Sequence, residues 1–84
     1  MPSYLVESYL ANTPAAVNDA RARARSLTDD VNGVRYVRTT FLPGDETILH
    51  VFEAPSLLVL RRAAQLAELA HERIIEAVER GVEQ

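Results

Sequence analysis

Two runs of aromatic and β-branched residues, Val34-Arg35-Tyr36-Val37-Arg38-Thr39-Thr40-Phe41 and Thr47-Ile48-Leu49-His50-Val51-Phe52-Glu53, flank Pro43-Gly44-Asp45. A proline that presets one backbone angle, followed by glycine, is a turn signal between two such runs. The pattern predicts an antiparallel hairpin with strands over 34–41 and 47–53, and everything else must be arranged around it. Residues 3–10, Ser-Tyr-Leu-Val-Glu-Ser-Tyr-Leu, have the same character and read as a strand. Asn12-Thr13-Pro14 then supplies a helix start, with Thr13 as N-cap and Pro14 at the first helical position. Val17, Ala20, Ala24 and Leu27 recur at helical spacing, and this helix is expected to end near Asp29-Asp30, ahead of Asn32-Gly33.

Ala54-Pro55-Ser56 closes the third strand and offers Ser56 as a second N-cap, for a helix from Leu57 to about Ala67–Ala70. The last stretch has two readings from pattern alone. Nothing from Leu57 to Arg80 breaks a helix, yet Ile74-Ile75-Glu76-Ala77-Val78 is branched and short enough for a strand covering a bare edge.

With 84 residues the chain is a single domain, 1–84, and a core this small gains most from burial against a second copy. It has no cysteine, which removes disulfides and thiolate metal sites and suits a reducing cytoplasm. The net charge of −3 and the lack of a basic cluster argue against nucleic acid as a partner. All nine cationic side chains are arginine, so lysine Schiff bases and lysine phosphate loops are excluded. No apolar run approaches the ~20 residues of a membrane span, and the N-terminus lacks the basic and apolar segments of a secretory signal.

Strand, helix, hairpin, helix and a final strand is the βαββαβ order of the ferredoxin-like fold. Tyr4-Leu5-Val6-Glu7, Glu53-Ala54-Pro55 and Glu68-Leu69-Ala70-His71-Glu72-Arg73-Ile74-Ile75-Glu76 resemble a group of small bacterial proteins of mostly unknown function. That group includes an actinobacterial nickel-binding protein. The resemblance implies a four-stranded antiparallel sheet with two helices on one face, pairing as a homodimer of dimeric α/β-barrel type. It favours a strand at about residues 73–78. Four departures stand out. Glu68 and Ala70 replace a usual Gly and Pro. Arg38 and Ala63 stand where histidines are usual, and His50 stands in place of a cysteine. A metal reading, with nickel as the cation, therefore rests on His50, joined by Glu7 or Glu53 and completed by a second subunit.

A hairpin loop of three or five residues would set Arg38 opposite His50, Tyr36 opposite Phe52 and Thr40 opposite Ile48, all on one face. Val37, Thr39, Phe41, Leu49 and Val51 would then lie under the helices. With Val6 turned to the helices, Glu7 and Tyr9 join the open face. The expected site is thus Glu7, Tyr9, Tyr36, Arg38, His50 and Phe52. Three uses compete for it: a dimer interface in which Glu7 pairs with Arg38, a small-molecule pocket, and the metal site. In the pocket Arg38 holds an anionic group and His50 moves a proton, as in cofactor-free isomerases or monooxygenases. The sequence is read as a homo-oligomeric binding module using the open sheet face, with that enzyme or a purely structural dimer as alternatives.

His71 is read as a surface residue bonded to last-turn carbonyls, and Glu76, Glu79 and Glu83 as a solvated edge. Arg21, Arg23 and Arg25 form a solvated helix face. There is no Gly-rich phosphate loop, Gly-flanked serine nucleophile or paired-carboxylate motif.

Overall fold

The computed structural model describes residues 1–78. Its elements are β1 (Ser3–Tyr9), α1 (Pro14–Arg25), β2 (Arg35–Leu42), β3 (Thr47–Glu53), α2 (Leu57–Leu66) and β4 (Arg73–Ala77). The four strands form one antiparallel sheet in the order β2-β3-β1-β4, so each helix carries the chain over one intervening strand. This is the ferredoxin-like arrangement that the element order predicts. No helix among the described residues is long and apolar enough to cross a membrane. Glu79 and Glu83 lie outside the described residues.

Both helices begin where side-chain oxygens satisfy free backbone donors. Thr13 Oγ1 accepts from Ala16 N–H at 3.2 Å, and Ser56 Oγ accepts from Val59 N–H at the same distance. α1 stops at Arg25, about four residues before the expected end. Ser26 caps it, Leu27 turns into the core, and Asp29 organises a tight loop instead of a further helical turn. The Asp29 carboxylate accepts from Val31 N–H, and its carbonyl accepts from Gly33 and Val34 N–H.

α2 ends at Leu66 in a Schellman arrangement. Glu68 N–H bonds the Gln65 carbonyl, and Leu69 N–H bonds that of Ala64. The geometry requires a left-handed residue, and Glu68 takes it with φ of 56°. β4 follows directly, which settles the ambiguity of the last stretch in favour of the strand.

The core lies between the sheet and the two helices. Tyr4 and Val6 of β1, Phe52 of β3 and Ile74 of β4 meet Ala24, Leu60 and Ala64 from the helices, with Leu27, Val34, Ala54 and Leu69 closing the ends. The largest fully buried side chains are Phe52, Ile48, Leu60, His50, Val6 and Val34.

Candidate functional site

Residues directly opposite one another in a ladder share a face of the sheet. β1 pairs with β3 so that Tyr4 faces Phe52, Val6 faces His50 and Ser8 faces Ile48. Tyr4, Val6 and Ser8 are all buried, so their partners lie beneath the helices as well. The expected face assignment is thereby reversed for β3 and for Tyr36, so that His50, Phe52, Ile48 and Tyr36 point into the protein; beyond Tyr36, Thr39 and Phe41 keep the inner face and Arg38 and Thr40 the open one, as expected. Leu49 and Val51, expected under the helices, lie on the open face.

A β-bulge between Tyr36 and Arg38 explains why only part of the expected register holds. Tyr36 does face Phe52, and their rings meet edge-on at 5.8 Å. Beyond the bulge the pairing moves by one residue, placing Arg38 opposite Val51, Thr39 opposite His50 and Thr40 opposite Leu49. The loop is four residues long, since Leu42 pairs with Thr47, and not three or five. Arg38 and His50 therefore occupy opposite faces, and the proposed anion-and-proton pair does not form.

His50 is instead a core residue with 0 % exposure. Its Nδ1 lies 2.8 Å from Thr39 Oγ1, which lies 2.7 Å from the Tyr36 hydroxyl. Its Nε2 is buried and has no hydrogen-bond partner among the described residues. We assign the tautomer with the proton on Nδ1, donated to Thr39. That choice leaves Nε2 as a bare acceptor, which is less costly to bury than an unpaired N–H. Desolvation lowers the imidazole pKa to about 4, so the ring is neutral at ordinary pH.

A metal needs several convergent donors, and the described residues contain no group of three or more His, Cys, Asp or Glu able to hold one. His50 has one nitrogen engaged and the other enclosed in the core. The residues present do not fit the nickel site that the resemblance implies.

On the open face, Glu7, Tyr9 and Arg38 stand as expected, but their neighbours are apolar. Leu5 has Val51 on one side and Ile75 on the other, with Leu49 one pair further along β3. Among the described residues no helix covers this stripe; Ile75 remains 39 % exposed, while Val51 is buried. Ion pairs bound it at both ends. Arg35 Nη2 reaches Glu53 Oε1 at 2.7 Å across the β2–β3 ladder, and Arg73 of β4 pairs with Glu7. Within the chain Glu7 pairs with Arg73. Tyr9, Val37 and Leu42 add further exposed apolar surface.

A second feature lies on the helical side. A cleft of about 570 Å³ opens between the C-terminal end of α1, the loop after it and α2. Leu27, Val59 and Ala63 line it, with Thr28, Asn32 and Arg62 among its polar groups. The sequence reading missed it. The available signal was the charged pair Arg61-Arg62 interrupting an otherwise apolar helix. His71, half-buried, donates from Nδ1 to the Leu69 carbonyl at 3.0 Å, a loop carbonyl beyond α2 rather than one of its last turn.

No protein-family profile matches the chain, and no curated protein does. Among solved structures the chain is similar to SCO4226 from Streptomyces coelicolor A3(2). The two superpose with a TM-score of 0.76 at 16% sequence identity, over 94% of this chain and 99% of that one. At that identity the likeness bears on the fold alone.

Proposed function

We propose that this protein is a self-associating binding module in which two copies bury the open faces of their sheets against each other, as in a dimeric α/β barrel. One observation carries the reading: Leu5, Leu49, Val51 and Ile75 form a contiguous branched stripe on a face that neither α1 nor α2 covers, half-buried at Leu5 and Leu49, buried at Val51 and exposed at Ile75. A continuous apolar patch framed by charges is the pattern of an interaction surface. Here each end of the stripe carries both signs, in Arg35–Glu53 and Arg73–Glu7, so the face is electrostatically compatible with its own two-fold copy. Arg38, Glu7 and Tyr9 border the stripe and set a guanidinium, a carboxylate and a phenol beside the joint.

Binding is favoured over catalysis because the imidazole that was to move a proton lies on the other side of the sheet. A structural dimer remains the limiting form of the same reading. A bacterial cytoplasm belongs to this proposal too, supported by the cysteine-free composition. Sedimentation equilibrium tests it. Wild type should show twice the 9.3 kDa of one chain, and Leu5→Arg should dissociate it without loss of helical circular dichroism. A wild-type monomer at millimolar concentration would refute the proposal.

A further inference from the structure

We infer that the cleft between α1 and α2 is a binding site for a small amphiphilic carboxylate, separate from the open sheet face. Its volume, about 570 Å³, falls within the range of small-molecule sites, roughly 300–1,000 Å³. Leu27, Val59 and Ala63 give it apolar lining against which an alkyl or aryl body can lie.

The hydrogen-bonding groups at its border decide the charge of the ligand. A helix C-terminus ordinarily offers unsatisfied carbonyls, which would repel an anion. Here the carbonyls of Arg23, Ala24 and Arg25 in the last turn of α1 are already taken. Ser26 N–H bonds Ala22, Leu27 N–H bonds Ala24, Thr28 N–H bonds Arg25, and the Ser26 hydroxyl donates to Arg23. The Asp29 carboxylate, which also lines the cleft, keeps its charge, but its oxygens are turned to Val31 N–H at 2.9 Å and the Asn32 side-chain amide at 2.6 Å.

What remains is chiefly donating. Thr28 Oγ1 accepts from Tyr36 N–H, so its own proton is available to a further acceptor. Asn32 keeps a second N–H. Arg62, exposed on α2, forms no ion pair with any described residue. An apolar trough with a guanidinium and two neutral donors at its edge complements a carboxylate on an apolar body, since guanidinium–carboxylate hydrogen bonds are charge-assisted.

The test is an amide-resolved NMR titration of the full chain with octanoate and, separately, with octanol. Octanoate should give saturable shifts at Leu27, Thr28, Asn32 and Ala63, and octanol should bind roughly tenfold more weakly. Arg62→Gln, an exposed substitution that leaves the core intact, should reduce octanoate to the affinity of octanol and leave octanol unchanged. Equal binding of acid and alcohol, or an unaffected Arg62→Gln variant, would overturn the inference. So would shifts confined to Leu5, Leu49 and Ile75, which would assign the acid to the sheet face instead. Silence at the cleft up to the solubility of octanoate would overturn it as well.

Discussion

Acidification should destabilise this protein through one buried side chain, His50. Its imidazole has no exposure, an orphaned Nε2 and a folded pKa of about 4 against 6.5 for an unperturbed ring. Above pH 6.5 the ring is neutral in both folded and unfolded chains and contributes no pH dependence. Between about 6.5 and 4 the unfolded chain binds a proton that the folded one refuses, so stability falls as pH falls, and the effect levels off below about 4. Linkage puts the loss at about 2 kcal/mol at pH 5 and about 3 kcal/mol by pH 4.

Carboxylates also titrate in this range, so the informative quantity is a difference between variants. Urea unfolding of wild type and His50→Leu at one protein concentration, at pH 8 and pH 5, isolates the imidazole. Wild type should lose about 2 kcal/mol more than His50→Leu over that interval. His71 is present in both proteins and cancels. Equal losses in the two proteins would refute the buried, neutral assignment, as would an NMR titration of His50 with a midpoint near 6.5.

Two backbone positions give further outcomes, each read by thermal or urea unfolding. Glu68 sits at φ of 56°, which costs a side-chain-bearing residue ~1–2 kcal/mol, so Glu68→Gly should stabilise by about 0.5–1 kcal/mol after glycine's entropy is offset. The opposing loss is small, because the Arg23–Glu68 pair is long, at 3.8 Å, and exposed. Gly33→Ala should destabilise by about 1–2 kcal/mol, since Gly33 has φ of 77° and an added Cβ would approach Pro55 Cγ to 3.1 Å.

The fold was largely legible because its signals are local. Thr13-Pro14 and Ser56 mark both helix starts, and Pro43-Gly44-Asp45 marks the hairpin. The left-handed turn at Glu68 was not legible, because a residue with a side chain stands where the backbone would favour glycine. Side-chain period in a strand is two, so the face of a residue depends on registers set by partners far away in sequence. Nothing local in Val6 or His50 announces that they face each other. The bulge beside Val37 then shifts half of β2 by one residue. His50 and Phe52, two residues apart on β3, share one face, and only burial of Val6 fixes which way they point.

The cleft was illegible for a related reason. It is formed by the early end of α1, and that end depends on Leu27 entering the core and Asp29 closing the following loop. The open stripe escaped notice because Leu49 and Val51 look like core residues in sequence. The pairing of β1 with β3 puts them on the open face instead, where Leu49 is half-buried and Val51 buried.

Paramagnetic relaxation in a mixed sample tests the pairing of open faces most directly. Because the chain has no cysteine, Thr40→Cys carries a single nitroxide on the open face, opposite Leu49. Mixed with isotope-labelled wild type, it should broaden amides of Leu5, Leu49 and Ile75 and spare those of α1 and α2. Broadening of the helices, or none at concentrations where sedimentation detects association, would contradict the account.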